Sequence, residues 1–62
     1  MMKYLIVAID GSGEIAFRRL INTRERAVEI ERRLCDSGDY SEVILLGGRS
    51  EKTILSVYPE YR

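Results

Sequence analysis

Apolar residues gather along the chain in blocks, and the spacing inside each block differs. Tyr4 to Ile9 is an unbroken apolar run, rich in aromatic and β-branched side chains, and predicts a strand over Lys3–Ile9. Glu14 to Ile21 predicts a second strand, with the hairpin chemistry of Asp10-Gly11-Ser12-Gly13 between the two. With Gly11 and Ser12 at the tip, Asp10 faces Gly13, Ala8 faces Ile15 and Ile6 faces Phe17. One face of the hairpin then carries Tyr4, Ile6, Ala8, Ile15 and Phe17. The other carries Leu5, Val7, Ile9, Ala16 and Leu20, interrupted by Arg18.

Beyond Ile21 the period changes. Ala27, Ile30 and Leu34 recur at i, i+3 and i+7, the stripe of an amphipathic helix. Asn22 with Glu25 three residues on has capping-box spacing, so the helix is predicted to run from Thr23 to Ser37 and to close at Gly38. Arg26, Glu29, Arg32, Arg33 and Asp36 fall on its solvated side. Glu31 falls beside the stripe, either snorkelling at its margin or forming an ion pair with Arg18 or with another subunit.

Glu42 to Leu46 has no polar face, as an interior strand has none, and Gly47-Gly48-Arg49-Ser50 ends it. The tail admits two readings. Ser50 could cap a short helix carrying Ile54, Val57 and Tyr58, or Thr53–Tyr58 could form an edge strand, which β-propensity favours. Pro59 ends either one. The resulting class is α+β: one domain over residues 1–62, a small two-layer ββαβ(β) sandwich with a mainly antiparallel sheet and one helix across one face. The third strand is placed beside the first.

This pattern leaves apolar surface uncovered. Strands one and three are apolar on both sides, and a single helix covers one sheet face. A homodimer that buries the other face is the expected solution, with Tyr4, Ile6, Ala8, Phe17 and Leu45 as interface residues. Length points the same way, because a 62-residue chain buries too little surface to be more than marginally stable alone. Cys35 is the single cysteine, read as a half-buried small hydrophobe, and there is no histidine. That excludes an internal disulfide and a cysteine zinc cluster and removes the commonest general base. No cofactor or metal is expected, and an enzyme is disfavoured. One free cysteine and no targeting pattern favour the cytoplasm. No apolar run approaches the ~20 residues of a membrane span.

The stretch from Tyr4 to Ser12, YLIVAIDGS, resembles the first strand of universal stress proteins. Its Asp-Gly-Ser turn is similar to the first phosphate loop of sugar-kinase and actin-like ATPases. Both resemblances cover about nine of the 62 residues. They imply a ligand site at Asp10, Gly11, Ser12 and Gly13, the backbone acting as an anion nest. No Gly-Lys-Ser/Thr follows and a strand comes next, so turn chemistry is the preferred reading. Eight of the ten basic residues are arginine, and Arg18, Arg19, Arg24 and Arg26 bracket one junction, an alternative nucleic-acid surface. Ten acids balance the ten bases, which argues against a strong attraction to nucleic acid. The partner favoured is a second copy, then another protein, with no membrane.

Overall fold

The computed structural model describes every residue from Met1 to Arg62. Its elements are β1 (Lys3–Ile9), β2 (Ile15–Ile21), α1 (Arg24–Ser37), β3 (Glu42–Gly48), α2 (Glu51–Val57) and a closing 3₁₀ turn, Pro59–Tyr61. The sheet order is β2-β1-β3, and β1 is antiparallel to both neighbours. The α+β class, the antiparallel sheet, and the first strand lying beside the third agree with the pattern of the sequence.

The hairpin differs in register. Asp10 N–H donates to the Glu14 carbonyl at 2.9 Å and Gly13 N–H donates to the Asp10 carbonyl at 3.0 Å. Gly13 has φ +87°, so this is a three-residue loop whose last residue must be left-handed. Ala8 consequently faces Phe17 and Ile6 faces Arg19, while Ile9 faces Ile15 across a bulge. Phe17 stays on the face of Tyr4, Ile6 and Ala8, because the register slides by two residues and preserves parity. The bulge moves Ile15 across to face Ile9.

Helix α1 is capped one residue later than the capping-box spacing suggests. Thr23 has extended backbone, and its side chain accepts from Arg26 N–H. Asn22 accepts from Lys3 Nζ at 2.7 Å instead. Gly38 closes the helix at φ +72°. The stripe residues Ala27, Ile30 and Leu34 pack with Ile6, Ile21, Tyr4, Phe17, Val43 and Leu45.

The tail corrects the strand reading. Residues 51–57 are helical, and Ser50 is the N-cap, accepting from Thr53 N–H. There is no fourth strand. Ile54 joins Leu5, Val7 and Leu46, with Ile9, Leu20, Ile44, Leu55 and Tyr61 around them. Leu5 and Val7 point away from Ile6, since side chains alternate along a strand. So α2 and the 3₁₀ turn lie against the sheet face that α1 leaves free. Gly48 makes this fold-back possible: a Cβ there would lie 2.6 Å from Ile54 Cγ1.

Candidate interaction surface

The hairpin loop is closed on itself. One oxygen of Asp10 accepts from the Ser12 amide at 2.9 Å, the Ser12 hydroxyl at 2.6 Å and the Glu14 amide at 3.1 Å. These bonds, that from the Ser12 hydroxyl first, hold the carboxyl below its ordinary value of 3.8. The Gly13 amide is spent on the Asp10 carbonyl. Thus the Ser12 and Gly13 amides that the nest reading offers to a phosphate already bind the chain's own oxygens.

The four arginines do not form one corner. Arg18 and Arg19 are neighbours in β2 and point to opposite faces. Arg18 reaches Glu51 at 2.7 Å, tying β2 to α2, so the pair considered between Glu31 and Arg18 is not made. Arg24 and Arg26 stand on the first turns of α1, and Arg26 lies 3.9 Å from Glu29, which also binds Arg33 at 2.8 Å. The surface concavity on the outer side of α1 is lined by Arg24, Glu25, Val28, Glu29, Arg32, Arg33 and Asp36. It is built from a single helix, and its three bases face three acids. Cys35 is exposed, not half-buried. No three ligating side chains converge on a point, and no helix is long and apolar enough to cross a membrane.

The residues assigned to a dimer interface lie elsewhere than expected. Ile6 and Ala8 are fully buried, and Tyr4, Phe17 and Leu45 pack beside them under α1. The face that carries them is covered by α1, and the opposite face, with Leu5 and Val7, is covered by α2, so neither stays open. The physical reason is the tail: as a strand it would have widened the sheet, and as a helix it shields the sheet.

What remains open is the sheet's margin. β3 stands at the end of the strand order, so its interior-strand composition sits on an edge. Val43, Ile44 and Leu45 are only half-buried. The β2 edge differs, carrying exposed Arg18 and Arg19 mid-strand and facing a bulge, two features that protect edges from pairing. The doubly apolar run of β3 reads as a sheet interior, and no local signal in the sequence marks it as an edge. β3 lies on the edge because residues 51–57 form helix α2 and not a fourth strand. No family model, curated protein or solved structure matches the chain, so any function must be argued from this geometry.

Proposed function

We propose that this chain is a non-catalytic protein-binding module whose working form is a homodimer. One observation carries the reading. β3 is apolar on both faces from Val43 to Leu46 and has no strand on its outer side. An edge that is long, uncharged at its centre and free of proline is a template for pairing with another chain. The small core supplies a motive. Eight of 62 residues are buried, all of them apolar, and the single cysteine leaves no internal disulfide to supplement them, so association would add needed stability. The exposed single thiol of Cys35 suits a reducing, cytoplasmic setting.

Sedimentation equilibrium across low micromolar concentrations tests this. A species of twice 7.2 kDa is expected, with a melting temperature that rises with protein concentration. A folded 7.2 kDa species at every concentration would refute the homodimer.

A further inference from the structure

We infer that the dimer forms by antiparallel pairing of β3 with β3 of a second copy, centred on Leu45, which joins the two sheets into one. This rests on the homodimer reading above and specifies its site. Backbone direction is the starting point. Asp10 spends both of its backbone groups on the β2 side, its N–H on Glu14 and its carbonyl on Gly13. Successive residues of a strand direct these groups to opposite sides. Ile9 therefore faces β3, and its carbonyl accepts from Ser41 N–H at 2.8 Å. Continuing the alternation, Val7, Leu5 and Lys3 bond toward β3, where they oppose Ile44, Leu46 and Gly48. That leaves Val43, Leu45 and Gly47 as the residues whose N–H and C=O point off the sheet.

These three outward positions complement themselves. A two-fold axis perpendicular to the sheet keeps each face in register with its copy and sets outward residues opposite outward residues. Centred on Leu45, the midpoint of Glu42–Gly48, it places Leu45 against its own copy and Val43 against Gly47. Each such pair exchanges two bonds, about six in all, and the strands overlap along their whole length. On the α1 face the branched Val43 meets a glycine. On the α2 face Ile44 meets Leu46, and Glu42 meets Gly48.

The shape supplies the area. The Cα envelope measures 31 × 25 × 11 Å, and two strand spacings of ~4.8 Å account for its thin dimension. β3 thus runs along a broad side of the molecule bounded by 31 × 25 Å, so its strand edge and the flank of α1 have room to form an interface within the size range of specific dimers. Because α1 lies over β1 and β3 more than over β2, the axis would set two copies of α1 side by side. Their separation would be about 10 Å, an ordinary helix-packing distance.

The test is total synthesis of the chain with N-methyl-Leu45, which removes an outward donor and adds bulk at the axis without touching the β1–β3 ladder. The unmodified chain should sediment as a dimer. The methylated chain should keep its circular dichroism and show a dissociation constant raised more than about tenfold. In the unmodified chain, exchange of the Val43, Leu45 and Gly47 amides should slow as concentration rises, while the inward Ile44 and Leu46 amides stay protected throughout. Should the methylated chain not fold, this exchange pattern decides alone. A dimer that survives methylation, or in which the three outward amides exchange freely, overturns the β3 site and leaves the homodimer standing. A monomeric unmodified chain overturns both.

Discussion

The Asp10 carboxylate gathers three donors on one oxygen, and the ionised form is the better acceptor. Its folded pKa lies below its ordinary value of 3.8, so the stabilisation is fully present above that value and is lost as pH falls through the folded one. Carboxylate chemical shifts should show Asp10 titrating below 3.8. Asp10→Ala should lower the melting temperature at neutral pH, and the gap to wild type should close on acidification. A pH-independent gap would show that the ionised oxygen is not what holds the loop. At Gly48 the constraint is steric. Gly48→Ala drives a methyl to 2.6 Å from Ile54 Cγ1, with Ile54 N at 3.7 Å behind it, and such overpacking costs ~1–3 kcal/mol. Urea denaturation should register that loss, whereas Gly11→Ala, which meets nothing within 4 Å, should change far less. The turn at Asp10 was readable from residue types alone. The need for glycine at position 48 was not, because its reason is a side chain that a helix brings back from position 54.

Helix α1 was legible almost throughout, since its stripe, its solvated side and its closing glycine are local signals. The start was off by one residue because Asn22 and Thr23 are both good caps. The choice fell to β2, which keeps Ile21 in its ladder opposite Tyr4 and leaves Asn22 in reach of Lys3. Thr23→Ala should therefore destabilise by ~1 kcal/mol, measured by chemical denaturation, and Asn22→Ala by less. Equal losses would mean that the two residues share the cap. The tail was misread for the opposite reason. Thr53, Ile54, Val57 and Tyr58 have strand propensity, which is weak against tertiary context. As a helix the segment buries Ile54 on Leu5, Val7 and Leu46, whereas a strand beside β3 would have left the face carrying those residues bare. Ile54→Ala should cost ~2–5 kcal/mol and weaken α2 together with the 3₁₀ turn. Hydrogen exchange that rises in residues 51–57 while the 3₁₀ turn at Pro59–Tyr61 stays unaffected is the pattern that would contradict this coupling.

Seen whole, the molecule is a narrow sheet three strands wide, with helices on its faces and bare margins. Formal charge is zero, and every recorded ion pair lies at the surface, where such pairs contribute at most about 1 kcal/mol each. The field around it should be weak. Generic duplex DNA at 0.15 M salt should therefore bind more weakly than roughly micromolar. A micromolar or tighter complex that loosens steeply with added salt would reverse this expectation and restore the arginine surface.

The sequence by itself determined the class, the hairpin, the stripe of α1, the pairing of the two most apolar strands and the balance of charge. These follow from period, turn chemistry and composition, all read within a few residues. Only the tertiary structure decided the hairpin register, the helical state of residues 51–57 and which element covers which face of the sheet. Those choices depend on what lies across from a residue, and the tail could satisfy its apolar side chains as strand or helix until the bare face of β1 selected one. The same choice removed the fourth strand and placed a run built like a sheet interior, Val43 to Leu46, on the edge.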